Sequence, residues 1–161
     1  MRKVEKISGV VKDIKSEVPI EICLCAGLID EEQAQVLKEA GVDRLNHNLN
    51  TSESNYEKIC STHSYEDRVQ TLTAAKKAGL SLCSGFIVGM GESNRDLIDL
   101  MIELRELKAA SIPVNFLIPI SGNALTQASQ GKLTPDFCLR VLAMARLVYP
   151  DAEIRAAGGR E

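Results

Sequence analysis

Two cysteines and one arginine stand in short apolar runs that have the character of buried strands, each closed by a turn that contains glycine. Cys23 lies in residues 20–26, Cys83 in residues 80–88 and Arg155 in residues 154–157. Thiolates that point inward from neighbouring strands can share one metal cluster. The spacing of these cysteines matches neither a disulfide framework nor a zinc finger. The pattern indicates a cofactor-dependent enzyme.

The elements that must position these residues alternate between helix and strand. Apolar residues recur at helical spacing in 2–16, 30–41, 64–78, 93–107 and 134–148, and strand-like runs cover 20–26, 44–49, 80–88, 112–118 and 154–157. Asp30 and Gln33 form the pattern of a capping box, Ser93 is a second N-cap, and Pro135 suits a first helical position. Such alternation predicts a parallel sheet with right-handed crossovers.

The polar residues decide between a doubly wound sheet and a (β/α) barrel. Cys23, His47, Cys83, Asn115 and Arg155 lie within the predicted strands or near their C-terminal ends, which is where barrel enzymes carry their chemistry. We therefore expect an α/β fold, a partial TIM-type barrel of about five parallel strands with outer helices. Residues 1–161 are expected to form a single domain, an incomplete barrel, and to be a piece of a larger protein.

Composition bounds the class of protein. The 161 residues are 45% hydrophobic and 25% charged, as in a globular domain, and the formal net charge is −3. With no basic block, we expect no nucleic-acid partner. No apolar stretch reaches the roughly 20 residues of a membrane span, and the start of the chain lacks an apolar signal region, so we expect a cytoplasmic protein. Five cysteines in a reducing compartment are then available for metal binding, redox chemistry or burial.

Four segments, in order and with compatible spacing, resemble the biotin synthase family of radical S-adenosylmethionine (SAM) enzymes. They are Asn46–Ser52, Cys83–Glu92, Ile112–Leu117 and Arg155–Glu161. The resemblance extends over essentially the whole chain. It implies insertion of sulfur into dethiobiotin to form biotin, the last step of biotin biosynthesis.

The resemblance also implies two iron–sulfur clusters. A [4Fe–4S] cluster on a Cys-x3-Cys-x2-Cys loop cleaves SAM, and that loop does not occur in these 161 residues, so we expect the chain alone to be inactive. A [2Fe–2S] cluster donates the sulfur. Its family ligands correspond to Cys23, Cys83 and Arg155, and a further cysteine belongs to an upstream strand.

The remaining site residues follow from the same resemblance. The SAM-binding positions correspond to Arg68, Asn50, Ile87, Gly85 and Gly89. Glycines at a strand end let backbone approach a planar base, and an arginine suits the SAM carboxylate. Asn50 stands where the family can have an aspartate on the ribose. Asn48 and Asn115 correspond to residues that bind dethiobiotin.

Several residues have a plain structural alternative. Cys23 and Cys83 could be core cysteines, Arg155 one half of a salt bridge, and Arg68 a solvated helix charge. His47 fits a core histidine as well as a site residue. Cys25, Cys60 and Cys138 match no ligand position, although Cys25 would share a strand face with Cys23.

The resemblance implies a homodimer and a reduced flavodoxin-type electron donor. Two other functions compete with it. One is a related radical SAM enzyme of different substrate, such as a hydrogenase-maturation or methylornithine-forming enzyme. The other is a non-catalytic α/β fragment that acts as a binding module.

Overall fold

The computed structural model describes residues 2–122, 125 and 133–159. Their contacts divide the chain into two compact units. The first unit comprises Met1–His47 with Glu66–Cys83, and the second comprises Asn48–Tyr65 with Ser84–Glu161. Elements are numbered along the chain, and each unit is described by itself.

The first unit is a three-stranded parallel sheet with helices between its strands. Its elements are α1 (Arg2–Glu17), β1 (Cys23–Leu24), α2 (Glu31–Glu39), β2 (Arg44–Asn46), α4 (Tyr65–Lys77) and β3 (Ser81–Cys83). β2 pairs with both β1 and β3. The register places Leu24 opposite Leu45 and Leu45 opposite Leu82.

The leucine side of this sheet is the core of the first unit. Leu45 and Leu82 are buried, as are Leu37 of α2 and Leu72 of α4. The predicted capping box starts α2, since the Asp30 carboxylate accepts from the Gln33 N–H at 2.8 Å and the Gln33 side chain accepts from the Asp30 N–H. The capping box and the spacing of the leucines are both visible in the sequence, and they account for the predicted helices and strands.

An ion pair ties α1 to the start of β2. Lys15 Nζ lies 2.6 Å from the Asp43 carboxylate, which also accepts the Ile22 N–H at 2.7 Å. These hydrogen bonds, with Lys15 the larger contributor, lower the pKa of Asp43. The contact fixes where the chain enters β1 and β2, and so helps to set their register.

The second unit is also a parallel three-stranded sheet. Its elements are α3 (Glu53–Ile59), β4 (Phe86–Val88), α5 (Asn94–Glu106), β5 (Ser111–Phe116), α6 (Pro135–Val148) and β6 (Glu153–Ala156). β5 is central and pairs with β4 and β6. The buried face carries Phe86, Val88, Ile112 and Val114, and α5 contributes the buried side chains Leu97, Leu100, Met101 and Leu104.

The predicted fold class is confirmed, with differences in element boundaries. The expected strand 80–88 is divided into β3 and β4, so six strands are described instead of about five. The division lies at Ser84–Gly85, where a Cβ on Gly85 would stand 1.9 Å from the Pro113 carbonyl oxygen of β5. The short helix α3 was not predicted, because its seven residues are too few for a clear apolar period.

The caps of α5 and α6 agree with the sequence. Ser93 accepts from the Asp96 N–H and starts α5, while Thr134 accepts from the Phe137 N–H with Pro135 at the first helical position. Among the helices within the described residues, none combines the length and the apolar character that a bilayer span requires.

Candidate functional site

Cys23, Asn46 and Cys83 share one face of the first unit's sheet. Side chains alternate between the faces of a strand, and Leu24, Leu45 and Leu82 occupy the buried face. Cys23 lies opposite Arg44 on β2, and Cys83 lies opposite Asn46. The first unit therefore brings the two predicted thiol ligands to the same side of the sheet.

The two thiols lie on strands that are separated by β2, and they are too far apart for a disulfide. Two strand spacings and an offset of two residues put their Cα atoms about 12 Å apart, whereas a disulfide needs less than about 7 Å. Cys23 is exposed and Cys83 is buried, so the core-cysteine alternative fails for Cys23. Within the described residues, no three His, Cys, Asp or Glu side chains converge as metal ligands. Two soft sulfur donors suit an iron–sulfur cluster, but they are only part of a ligand set.

The surroundings of Cys83 are polar on the site face. The Asn46 amide nitrogen Nδ2 lies 3.4 Å from Cys83 Sγ and donates to it, and the His47 N–H donates to the Cys83 carbonyl at 3.0 Å. N–H donors to a ligand sulfur tune the potential of a bound cluster. His47 is buried, and two residues after Leu45 its side chain is expected on the same face as Leu45. This favours the interpretation of His47 as a core histidine.

Arg44 is a site-face residue that sequence reasoning missed. It is half-buried and lies level with Cys23 and Ser81 in the sheet. The signal was present, since Arg44-Leu45-Asn46 alternates polar, apolar, polar. Arg44 was not predicted because it begins its strand, whereas functional residues are expected at the C-terminal ends of strands.

In the second unit, Asn48 and Asn50 hold the chain against β4. Asn48 Oδ1 accepts the Gly85 N–H at 3.0 Å. An isolated parallel β-bridge pairs Asn50 with Phe86. The Asn50 N–H donates to the Gly85 carbonyl, and the Asn50 carbonyl accepts the Ile87 N–H at 2.8 Å. Its φ of 71° is in the left-handed region, which asparagine and aspartate tolerate better than other side chains. An asparagine at position 50 is therefore compatible with this backbone conformation.

Asn115, Ile87 and Arg155 point to the face of this sheet opposite its buried layer. Ile87 lies opposite Asn115, and Arg155 lies opposite Pro113. Asn115 Nδ2 donates to the Phe86 carbonyl at 3.2 Å, and its Oδ1 accepts the Gly158 N–H at 3.0 Å. One amide hydrogen and one lone pair of Asn115 are thereby used, and one of each is left for a ligand. Arg155 is exposed.

The glycine-rich turn after β4 is closed by a carboxylate. Glu92 accepts from the Gly89 N–H at 2.6 Å and from the Met90 N–H at 2.7 Å. Gly89 has a φ of 104°, and a Cβ there would lie 2.8 Å from Leu133 Cδ1. The expected reason for Gly85 and Gly89, close approach to a planar base, is therefore incomplete. Gly85 already needs glycine because of the Pro113 backbone, and Gly89 because of its positive φ. Arg160 and Glu161, the last residues of the predicted motif, lie outside the described residues.

Arg68 lies in the first unit, half-buried in the first turn of α4. A cavity of about 560 Å³ in this unit lies between the start of α2 and α4, with Asp30, Gln33, Asp67 and Thr71 in its wall. None of the predicted site residues lines it. In each unit the candidate site residues other than Arg68 lie on strands or beside them, and in the first unit Cys23 and Cys83 are not part of this cavity's wall.

Comparison with protein families decides the class of the chain. Residues 2–105 match the Radical SAM superfamily, and residues 113–161 match the Biotin and Thiamin Synthesis associated domain. The chain belongs to the radical SAM superfamily. The candidate site residues described above are thus those of a radical SAM chain. The first match ends within α5, and the second begins within β5.

Three curated relatives of this radical SAM chain carry the name "Biotin synthase". The chain is 56% identical over 159 residues to "Biotin synthase" of Acaryochloris marina. It is 53% identical over 157 residues to that of Leptospira interrogans and 55% identical over 161 residues to that of Streptomyces coelicolor. These matches cover 98–99% of the chain and 39–45% of the relatives. The resemblance predicted from the four segments is confirmed, and the chain spans less than half the length of these relatives.

Solved structures support the fold alone, because identities are low. Methylornithine synthase (PylB) matches with a TM-score of 0.81 at 22% identity, covering 93% of this chain and 44% of that one. The hydrogenase maturase HydG of Carboxydothermus hydrogenoformans matches with a TM-score of 0.80 at 18% identity, covering 99% and 39%. The predicted α/β fold is therefore shared with these two solved proteins.

Proposed function

We propose that this chain forms the central and C-terminal part of a biotin synthase, which inserts sulfur into dethiobiotin. The observation that carries the proposal is 56% identity over 159 residues to a curated biotin synthase, together with matches to both domains. The predicted ligand and substrate positions lie on strands or directly beside them. This is the arrangement in which barrel enzymes hold substrates and cofactors.

In this proposal Cys23, Cys83 and Arg155 are ligands of a [2Fe–2S] cluster. When bound, that cluster supplies the sulfur, while SAM on a [4Fe–4S] cluster held outside these residues supplies the radical chemistry. The common sheet face of the two cysteines supports their role, as does the Asn46 amide that donates to Cys83 Sγ. An arginine ligand is unusual, and the exposure of Arg155 leaves its guanidinium accessible.

The SAM-binding residues are proposed to be Arg68, Asn50, Ile87, Gly85 and Gly89. Arg68 would bind the carboxylate through its planar fork, and Ile87 would offer an apolar surface to the adenine. The Asn50 amide would donate to or accept from a ribose hydroxyl. Its backbone is fixed by the hydrogen bonds to Gly85 and Ile87, on both sides of Phe86.

Dethiobiotin is proposed to bind Asn48 and Asn115. Each of these side chains already contacts backbone with its oxygen, and Asn115 does so with its nitrogen as well. The two bonds of Asn115 restrict its rotation, so that its second amide hydrogen is oriented before a ligand arrives. A homodimer, a reduced flavodoxin-type donor and a cytoplasmic location complete the proposal.

The competing radical SAM functions are less well supported. PylB and HydG share the fold at 22% and 18% identity, whereas curated biotin synthases share 50–56%. A difference of this size favours the biotin synthase assignment over a methylornithine-forming or hydrogenase-maturing enzyme.

A chimera tests the proposed activity. In the Acaryochloris marina relative, the segment that this chain matches is replaced by residues 1–161. After anaerobic reconstitution with iron and sulfide, and with SAM and a reductant, we expect the chimera to convert dethiobiotin to biotin, measured by mass spectrometry. The unfused chain and a chimera with Asn48→Ala serve as controls. A chimera that is folded and carries clusters but forms no biotin would contradict the proposal.

The ligand assignment is tested in the same chimera by spectroscopy, independently of activity. We expect Cys23→Ala and Cys83→Ala each to reduce the visible absorption of the [2Fe–2S] cluster by most of its amplitude, because each removes a thiolate ligand. Cys138→Ala, on α6, is the matched control and should leave the absorption unchanged. Equal spectra for all three variants would exclude Cys23 and Cys83 as ligands.

A further inference from the structure

Cys60 lies in a polar cluster that the proposed reaction does not use. It follows the end of α3, and its Sγ lies 3.4 Å from Thr62 Oγ1 and 3.6 Å from His63 Nδ1. Thr62 Oγ1 in turn lies 2.9 Å from His63 Nδ1. The ring of Tyr56 packs edge-on against the His63 ring, with centroids 6.1 Å apart. A sulfur, a hydroxyl and an imidazole thus form one hydrogen-bonded group at the surface of the second unit.

This arrangement favours the ionised form of the thiol. A thiolate only accepts, so Thr62 donates to the sulfur and can accept in turn from His63 Nδ1–H. The Thr62 side chain, followed by backbone N–H groups and Tyr56, lowers the pKa of Cys60 from 9.0 to about 7. The C-terminal end of a helix works in the opposite direction, because its dipole disfavours an anion. The stabilisation must therefore come from the cluster itself.

The four other cysteines lack this combination. Cys83 is buried, and burial raises the pKa of Cys138 within α6. Cys23 and Cys25 are exposed and belong to the β1 segment, where Cys23 is a proposed ligand. Cys60 is half-buried, so its sulfur can be reached from solvent.

We propose that Cys60 is a modification site, a nucleophilic thiolate that undergoes exchange with small-molecule disulfides. In this step the Cys60 thiolate attacks one sulfur of the disulfide, a new S–S bond forms, and the old S–S bond breaks. The departing sulfur leaves as a thiolate that takes a proton from solvent. Cys60 is oxidised and the small disulfide is reduced by the same electron pair, and an added dithiol reverses the change.

The first test measures alkylation of each cysteine of the chain by iodoacetamide, with peptide mapping by mass spectrometry between pH 5.5 and 9.5. We expect the Cys60 rate to reach half its maximum near pH 7. At pH 7 about half of Cys60 is thiolate, against about 1% of an ordinary thiol, while the lower basicity reduces its intrinsic nucleophilicity. At pH 7 we therefore expect Cys60 to be alkylated roughly fivefold to tenfold faster than an ordinary thiol. The ratio of the Cys60 rate to the Cys138 rate should be larger still.

Variants separate the cluster from simple exposure. Thr62→Val removes the largest contribution and should move the midpoint of the Cys60 rate upward by at least about one pH unit, whereas Ser61→Ala, in the same exposed loop, should leave it unchanged. Incubation with glutathione disulfide at pH 7 should add one glutathionyl group at Cys60 first. A Cys60 midpoint above pH 8, equal profiles for Thr62→Val and the parent chain, or thiolation of the exposed Cys23 or Cys25 before Cys60 would each overturn the proposal.

Discussion

Position 85 accepts no side chain, because the backbone of a neighbouring strand occupies the space. A Cβ on Gly85 would stand 1.9 Å from the Pro113 carbonyl oxygen and 2.8 Å from its carbonyl carbon. Backbone cannot move as the end of a flexible side chain can. The close approach therefore belongs to the pairing of β4 with β5, whatever cofactor lies near it.

We expect Gly85→Ala to destabilise the chain by roughly 1–3 kcal/mol, as overpacking of a buried position does. The matched control is Gly9→Ala, where an added Cβ meets no atom within 4 Å in helix α1. That change should stabilise the chain by about 0.5–1 kcal/mol through helix propensity. Urea unfolding followed by circular dichroism measures both, and equal midpoints for the two variants would contradict the packing argument.

The glycine motif illustrates what a sequence can indicate at this scale. A glycine-rich turn after a strand led us to expect close approach to a planar base, but it could not reveal which part of the protein lies against Gly85. Gly85 adjoins Pro113 and Gly89 adjoins Leu133, which are far away along the chain. Asn46 was likewise visible as a polar strand residue, yet its contact with Cys83 Sγ depends on the register of β2 and β3.

Among the elements, helix α5 is joined at its start to the segment before α3. The Asp96 carboxylate accepts from Ser52 Oγ at 2.6 Å, from the Ser54 hydroxyl and from both the backbone and side chain of Ser93. These bonds, with Ser52 the largest contributor, lower the pKa of Asp96 well below its usual value of 3.8. Asp96, three residues after the predicted N-cap Ser93, is thus the centre of a link between two segments more than 40 residues apart in the chain.

This link should appear in the pH dependence of stability. A carboxyl whose pKa is lowered by folding stabilises the native state above its unfolded pKa of 3.8 and loses that effect as pH falls toward its folded value. We expect Asp96→Asn to lower the urea midpoint at pH 6, and the difference from the parent chain to shrink between pH 5 and pH 2.5. Asp99→Asn, on the exposed side of α5, is the control and should change little. A difference that is independent of pH would contradict the assignment.

The boundaries of the elements show why helix–strand alternation predicted the class of fold but not the break between β3 and β4. The apolar runs gave the order of strands and helices, and Asp30, Ser93 and Thr134 gave the helix starts. The break between β3 and β4 was not visible, because residues 80–88 are apolar or small throughout. The reason for the break lies in β5, outside the window that any local pattern covers.

For the whole molecule, we propose that residues 1–161 unfold as one cooperative domain, as expected from the sequence. The chain offers one probe for each compact unit. Of the three tyrosines, Tyr56 and Tyr149 lie within the second unit, and Tyr65 is grouped with that unit although α4 begins there. The chain has no tryptophan, so intrinsic fluorescence reports mainly the second unit. Buried Cys83 belongs to the first unit, and its protection from a short pulse of alkylation reports that one.

Coincident urea midpoints from tyrosine fluorescence and from Cys83 protection would support a single domain. Separate midpoints would instead show two units of different stability and remove the single-domain expectation. Gly9→Ala should raise the Cys83 midpoint, since α1 belongs to the first unit. If unfolding is cooperative, the fluorescence midpoint should rise by the same amount.

The double anchoring of Asn115 has a consequence for chemical selectivity. Turning this amide end for end would place like groups opposite one another at both the Phe86 carbonyl and the Gly158 N–H, so its polarity is fixed. A visiting molecule must then present an acceptor on one side and a donor on the other. A compound with those two groups exchanged would meet repulsion at both ends, and the side chain could not rotate to accommodate it.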